Sequence, residues 1–487
     1  MHKCYNVNNF TATADYYNKR RFFVKMKKSS SSAARGLHII IVGCGKVGVT
    51  LVEQLSKEGH DITIIDKSHK TIQALTNIYD VMGVVGNGAS YSILMEAGIE
   101  YADLLISVTE SDELNLLCCT VAKRVGECAA IARVRTPDYS VETNYLREKL
   151  GLVMIINPEL EAANEAARIL CLPTVLEVNP FAHGQAELIK FKLEEGNPLT
   201  DKSIASIGKT YAKDILICAI ERLGQIYIPS GNFELKAGDY ISFVASRSDA
   251  RTFLKNLGLA THHVKNTMII GGGKAAFYLA KQLLGIGIDV KIIEADKERC
   301  EALSILLPKA IIINGDGTDA DLLKEEGIET VESFVPLTGI DEENVMLTLH
   351  AKQVSKAKVI TKINRINFRE VLNNLDLGSV IYPKYITSEA IIAYVRAKRA
   401  SLGSNVETLY HLFDSRVEAI EFKVASGSPV TNTPIMELNL KNNLLIAFIN
   451  RNVKIIIPSG NDKIMANDTV MIVTTHTGFN DIKDILK

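Results

Sequence analysis

The chain of 487 residues lacks a charge excess of either sign: Lys+Arg number 55 and Asp+Glu 56, leaving a formal net charge of −1. No basic surplus marks it as a nucleic-acid binder, and no acidic surplus marks it as disordered. Eight cysteines are present, but without a CxxC pair or a Cys/His cluster at metal-ligand spacing. That excludes a disulfide scaffold and gives no metal site, so we read the cysteines as reduced thiols of a cytosolic protein with no apparent secretory signal. No uncharged apolar run reaches the ~18 residues that a bilayer-spanning helix needs, which excludes a helical membrane transporter. An HExxH pair, a Ser/His/Asp order, a Walker-type lysine loop and a catalytic carboxylate pair are missing as well. What remains is 47% hydrophobic and 23% charged, ordinary for a globular protein with about three domains at ~150 residues each.

Residues 1–36 stand apart. Lys3, Lys19, Arg20, Arg21, Lys25, Lys27, Lys28 and Arg35 face only Asp15, so eight positive charges less one give +7. Subtracting +7 from −1 leaves −8 for residues 37–487. Without periodicity and ending in a serine run, the segment is expected to be a basic disordered extension. Such a tail suits a membrane-surface anchor or an organellar transit peptide. The composition favours a plainer reading, an extension from an early start codon with Met26 as a later start.

From Leu37 onward the chain repeats itself. Residues 38–48 read HIIIVGCGKVG and residues 267–276 read TMIIGGGKAA, with Gly43 and Gly271 offset by 228. Asp66 and Glu294 keep that offset. One inserted residue then shifts it to 229, matching Thr109 with Thr338, Asp112 with Asp341, Asn115 with Asn344 and Arg133 with Lys362. The turn Ile228-Pro-Ser-Gly-Asn232 recurs as Ile457-Pro-Ser-Gly-Asn461. A period this long makes each copy a module of its own rather than one turn of a solenoid.

Within each copy the first part alternates continuous apolar runs with helical patterns. Residues 39–42, 62–65, 81–85, 104–108 and 129–134 read as strands and 47–57 as a helix stopped by Gly59, which predicts a parallel sheet covered on both faces. The second part has short alternating strands at 187–192, 215–221, 225–229 and 240–244 between turns, which predicts a small α+β lobe. The fold class is therefore α/β: two tandem Rossmann-like doubly wound domains, each followed by an α+β lobe. The boundaries read as 1–36 for the extension, 37–160 and 175–258 for copy one, and 265–385 and 405–487 for copy two. The links fall near Leu172-Pro173 and Leu402-Gly403-Ser404.

Gly43-x-Gly45-x-x-Gly48 directly follows a strand and opens a helix, the context in which three such glycines bind a dinucleotide. Gly43 permits the tight turn, Gly45 lets the backbone approach a pyrophosphate, and Gly48 lets the helix pack close to the strand. The phosphates would face the helix N-terminus. Asp66 ends the second strand, where a carboxylate accepts ribose hydroxyls and repels a 2′-phosphate, favouring NAD-type ligands; Lys67 weakens that exclusion slightly. Copy two offers Gly271-Gly272-Gly273, Ala276 in the third-glycine position, and Glu294. Thr109-Glu110 and Thr338-Gly339 follow the fourth strands, where the nicotinamide-side ribose or the base would lie. Arg133 ends the fifth strand and reaches either the phosphates or a neighbouring acid. Lys46 reads as a solvated loop residue, and Cys118-Cys119 as core filler.

These residues, with the Gly86-Asn87-Gly88 turn, Ala132-Arg-Val-Arg135 and the IPSGN turns, make the chain resemble the TrkA family of regulatory subunits of Trk potassium uptake systems. The resemblance spans about residues 37–487. It implies two units, each an RCK_N (KTN) domain followed by an RCK_C domain. It also implies a non-catalytic cytoplasmic protein, peripheral on the inner face of the membrane, that docks on a TrkH-type potassium-translocating subunit. NAD(H), and also ATP or ADP, would bind its clefts, and four chains would form a homo-oligomeric ring. Carried over by position, the ligand residues are Gly43, Cys44, Gly45, Lys46, Val47, Gly48, Asp66, Thr109, Glu110 and Arg133, with Gly271, Gly272, Gly273, Lys274, Ala275 and Glu294 in copy two. No metal and no nucleic acid are implied. The competing reading is an NAD-dependent oxidoreductase whose substrate site the sequence does not reveal. A third is a ring-forming scaffold whose nucleotide loops are vestigial.

Overall fold

The structure, a computed structural model, describes residues 36–487 apart from 141, 211–214, 260–262, 365–371, 373–374, 401–404, 414–415 and 453. The basic extension and the link expected at Leu402-Gly403-Ser404 thus lie outside the described residues.

The first copy runs β1 (His38–Val42), α1 (Lys46–Lys57), β2 (Asp61–Asp66), β3 (Met82–Val85), β4 (Leu104–Ser107), α2 (Asp112–Val125), β5 (Ala129–Arg133), β6 (Met154–Ile156) and α3 (Pro158–Leu170). Its six strands are all parallel, in the order β3-β2-β1-β4-β5-β6. Ile39, Ile40 and Ile41 are wholly buried, as expected of a β-branched run covered on both faces. Val47, Leu51, Val52 and Leu55 put one side of α1 on that sheet. Ser111 caps α2 by accepting from Leu114 N–H, and Asp112 and Glu113 complement the dipole in its first turn. The strand order reverses between β1 and β4, the crevice where an open α/β sheet takes its ligand.

A five-stranded antiparallel sheet follows: β7 (Glu177–Phe181), β8 (Ala186–Lys192), β9 (Ile215–Arg222), β10 (Gln225–Tyr227) and β11 (Tyr240–Ser246), in the order β10-β9-β11-β8-β7. β10 stops before residues 228–229, since Pro229 has no N–H to continue the ladder. β4 and β5 likewise end one residue short of the expected 108 and 134. Val108 N–H still reaches Val42 O at 2.8 Å and Val134 N–H reaches Ile156 O at 2.9 Å.

The second copy repeats this topology. It runs β12 (Asn266–Ile270), α4 (Lys274–Gly285), β13 (Asp289–Glu294), β14 (Ile311–Asn314), β15 (Ser333–Pro336), α5 (Asp341–Val354), β16 (Lys358–Lys362), β17 (Ser379–Ile381) and α6 (Pro383–Ala400). Then come β18 (Val406–Leu412), β19 (Val417–Lys423), β20 (Leu444–Arg451), β21 (Lys454–Ile456) and β22 (Thr469–Thr474). Both lobes carry the same clamp. Arg222 grips the buried Asp239 through two bonds of 2.7 Å, and Arg451 grips Asp468 at 2.9 and 2.7 Å. Each clamp pins the turn before the lobe's last strand.

The two copies are joined by exchanged helices. α3 leaves its own sheet and packs on α4, where Ala162, Ala163, Ala166, Ala167, Ile169 and Leu170 enter the core of the second nucleotide domain. Four alanines in that stretch leave room for close helix contact. In return α6 packs on α1, adding Ile391, Ile392 and Val395 to the core of the first domain. Burying three such side chains contributes about 1.5–3 kcal/mol each. Arg396 of α6 seals that contact with a two-pronged ion pair to Glu58, its Nη2 at 2.5 Å. Each helix thereby completes the other copy's core. The lobes also share a core, with Phe181 lying 4.4 Å from Tyr410 and 6.4 Å from Phe448 between ring centroids.

Candidate functional site

The loop after β1 turns at Gly43, whose φ of +95° is left-handed and whose added Cβ would lie 2.8 Å from Thr109 N. A Cβ on Gly48 would lie 2.0 Å from Gly43 O, so only glycine lets α1 start this close to the loop. Gly45 differs from both. Its φ is −74°, and a Cβ there would meet nothing within 4 Å. No neighbour within the chain requires glycine at that exposed position; a ligand approaching the backbone would. No side chain caps α1, and no acid sits in its first turn, leaving N–H groups for an anion.

Asp66 sits at the end of β2. Its Oδ2 accepts from Cys44 N–H at 2.7 Å and its Oδ1 from Ser68 N–H at 2.8 Å. Each carboxylate oxygen retains a further lone pair for a hydroxyl donor. The acid therefore fixes the loop as well as facing the cleft. The buried Cys44 thiol is pushed up to about 12, chiefly by burial and then by Asp66, so it is neither ionised nor nucleophilic near neutral pH.

Copy two reproduces the arrangement with a longer acid. Glu294 Oε2 accepts from Gly272 N–H at 2.5 Å and Oε1 from Asp296 N–H at 2.8 Å. Gly271 has a φ of +92°, and Gly273, like Gly45, has open space around it. A Cβ on Gly271 would stay 3.3 Å from Leu337, against 2.8 Å from Thr109 for Gly43, so the second loop stands slightly farther from its fourth strand. Ala275 and Ala276 are buried at the start of α4.

The far wall of each cleft is tied by an asparagine that the sequence marked only as a repeat position. Buried Asn115 accepts at Oδ1 from Thr109 N–H (2.8 Å), Thr109 Oγ1 (2.7 Å) and Ser107 Oγ (3.0 Å). It donates to the carbonyls of Thr109 and Arg133. Asn344 does the same for Thr338 and Lys362. Thr109 is thus at the cleft with its hydroxyl engaged, and Glu110 is exposed beside it. Arg133 bends back to donate to Thr109 O at 2.5 Å, while its buried Nε has no hydrogen-bond partner. Burial and neighbouring Arg135 weaken its hold on the proton. Lys362, its counterpart, donates to Leu337 O and is pushed down to about 8 by burial.

Helix exchange brings the two clefts together. Lys274, the first residue of α4, reaches Thr136 Oγ1 of the first copy at 3.3 Å. Tyr278 OH donates to Arg135 O at 2.9 Å and accepts from Asn157 Nδ2 at 3.0 Å. Lys46, expected on the loop, is the exposed first residue of α1, since the helix starts directly after Gly45, and its charge is felt at Lys362 of the other copy. Asp112 receives Thr136 Oγ1 and the amides of Arg135 and Thr136. Burial works to raise its pKa, but these bonds and Lys274 hold it below the usual range. The sequence pattern gave no sign of these cross-copy contacts, because a repeat does not say which copy a helix will pack on.

Seen against known proteins, the alternation of domains decides the family. The TrkA-N domain matches residues 39–158 and again 267–383, and the TrkA-C domain matches 188–258 and 419–487. The chain belongs to the TrkA family. The Trk system potassium uptake protein TrkA of Haemophilus influenzae is 32% identical over 440 residues, covering 90% of this chain and 93% of that protein. A TrkA homolog of Archaeoglobus fulgidus is 30% identical over 451 residues, covering 93% of this chain and 100% of its own. Among solved structures, the GsuK channel bound to NAD has a TM-score of 0.60 at 17% identity, covering 91% of this chain and 78% of that one. The GsuK RCK domain also reaches 0.60, at 16% identity, covering 91% and 93%. At that identity the GsuK structures speak for the fold, two parallel Rossmann-like sheets each followed by an antiparallel one. Among the described residues no helix is long and apolar enough to cross a membrane.

Proposed function

We propose that this protein is a nucleotide-sensing regulatory subunit of a Trk-type potassium uptake system. It docks at the inner face of the membrane on a TrkH-type potassium-translocating subunit, as a ring of four chains. The observation that carries the reading is the paired cleft. Each glycine loop has an acid that accepts one of its amides, and Lys274, next to the second loop, reaches Thr136 of the first copy. Gly45 and Gly273 are glycines that only an approaching ligand needs. The helix N-termini would hold the phosphates of NAD(H), ATP or ADP, and Asp66 and Glu294 would hold a ribose. NAD(H), when bound, would supply hydride chemistry, and two groups beside the first cleft are set away from proton transfer. Asp112 is held ionised by its hydrogen bonds and Cys44 is held neutral, so neither is poised to exchange a proton near pH 7.

A nucleotide acts here through its differential affinity for two arrangements of the paired domains, since equal affinity would shift nothing. A coupling of about 1–3 kcal/mol changes the partner's opening some 5- to 150-fold. Lys274 and Lys46 place each cleft within reach of the other copy, so a ligand in one would be felt by both. The test is co-purification of the full chain from membranes, with and without NADH or ATP. A potassium-translocating subunit in the eluate, in a nucleotide-dependent amount, supports the reading. Turnover of NADH with carbonyl compounds above background would overturn it in favour of an oxidoreductase.

A further inference from the structure

Between the two α+β lobes lies an open cavity of about 760 Å³ whose wall holds three cations and no acid. Arg247 and Arg251 come from the first lobe, on the helix Arg247–Asn256 that follows β11. Lys454, the first residue of β21, comes from the second lobe with Ile455 beside it. None of these residues belongs to a nucleotide cleft.

Two of the three cations are not used by the protein. Exposed Arg251 and Lys454 have no hydrogen-bond or ion-pair partner among the described residues. Arg247 donates through Nε to buried Glu187 at 3.1 Å, which leaves the other guanidinium N–H groups to a ligand. Asp249, the nearest acid on the same helix, is engaged by Ser246, whose Oγ donates to it at 2.5 Å. Ser246 also accepts Asp249 N–H, so the cap serves the third amide of the helix and not those of Arg247 and Ser248. Gln185, in the turn between β7 and β8, adds a carboxamide whose buried Oε1 has no hydrogen-bond partner.

The repeat supplies a contrast. At the corresponding corner the turn between β18 and β19 meets the β9–β10 hairpin. There Arg416 donates to Gly224 O at 2.6 Å and pairs with Glu221 at 2.5 Å, so its charge is consumed within the chain. After β22 the described residues form only the short turn Ile482–Ile485 in place of the Arg247–Asn256 helix. The unspent cations are thus a feature of one corner and not of the lobe fold.

We propose that this corner binds the phosphate group of a small phosphorylated metabolite. Two guanidinium forks and an ammonium suit a dianion, since arginine matches phosphate oxygens in pairs and each bond is charge-assisted. The cavity exceeds a phosphate ion in size. Gln185 and Ser248 offer partners for hydroxyls and Ile455 an apolar wall, which suits a short hydroxylated body behind the phosphate. Because the cations come from both lobes, the bound anion ties the lobes together and adds to the stability of their shared core. None of this requires a nucleotide at the glycine loops.

The test is equilibrium dialysis of the full chain against radiolabelled inorganic phosphate and, separately, radiolabelled glycerol phosphate, at low ionic strength because salt screens exposed cations. Arg251→Gln with Lys454→Gln removes two exposed charges that the chain leaves unpaired, so the unliganded melting temperature should stay as in the wild type. The wild type should retain both probes saturably, and an excess of NADH should leave that binding in place. The double variant should bind them at least about tenfold more weakly. Equal retention by the two proteins, full displacement by NADH, or no retention by either would overturn the proposal.

Discussion

Single atoms separate two kinds of glycine in the nucleotide loop. Gly48 is needed by the chain itself, since a Cβ would sit 2.0 Å from Gly43 O. Gly48→Ala should therefore push α1 from the loop and cost about 1–3 kcal/mol of stability, measured by denaturant unfolding. Gly45→Ala meets open space, so stability should stay within about 1 kcal/mol while NADH affinity falls at least about tenfold. Loss of stability without loss of affinity at Gly45 would contradict the site. At this scale much was readable in advance: the glycine spacing, the acid 23 residues on and the match of Asn115 to Asn344 all stand in the sequence. The roles were only half readable. Asp66 and Glu294 hold loop amides with both oxygens, and Asn115 stitches two strand ends, because hydrogen bonds across the sheet follow from folding and not from spacing. Cys118 and Cys119, read as core filler, are fully buried.

At the scale of elements, strand order and lobe topology follow from patterns that each copy carries alone. The continuous isoleucine runs and the Ser111 and Asn157 caps needed no long-range information. Helix exchange did need it. The small-residue face of α3 and the apolar face of α6 are amphipathic stripes that would suit either sheet, and only the assembled chain shows that each crosses to the other. The Glu58–Arg396 pair makes that crossing measurable. Burial alone would raise Glu58, but the two-pronged bond from Arg396, with His60 Nε2 3.8 Å away, outweighs it and brings its carboxyl down to about 2. A depressed carboxylate stabilises the fold above its ordinary value of 4.5, and that contribution is lost as pH falls from there toward 2. Glu58→Gln should therefore cost about 2–3 kcal/mol at pH 7, less than a fully buried pair, and lessen the stability lost on acidification below about pH 4.5. A thermal-unfolding series from neutral to acid pH checks this, with equal acid sensitivity in both proteins as the contrary outcome.

The whole molecule is two copies of a two-domain unit closed on each other. On the proposed reading the ion path belongs to the membrane partner. On that reading, gating would depend on how a nucleotide redistributes the paired domains, whose cores the exchanged helices tie together. The central claim is binding without turnover, and calorimetric titration of NADH into the full chain tests it most directly, alongside Asp66→Asn. The account predicts saturable heat, at least about tenfold weaker affinity in the variant at the first cleft, and no consumption of the reduced nicotinamide when carbonyl compounds are added. No heat with NADH, NAD, ATP or ADP, or steady oxidation of NADH, would contradict it.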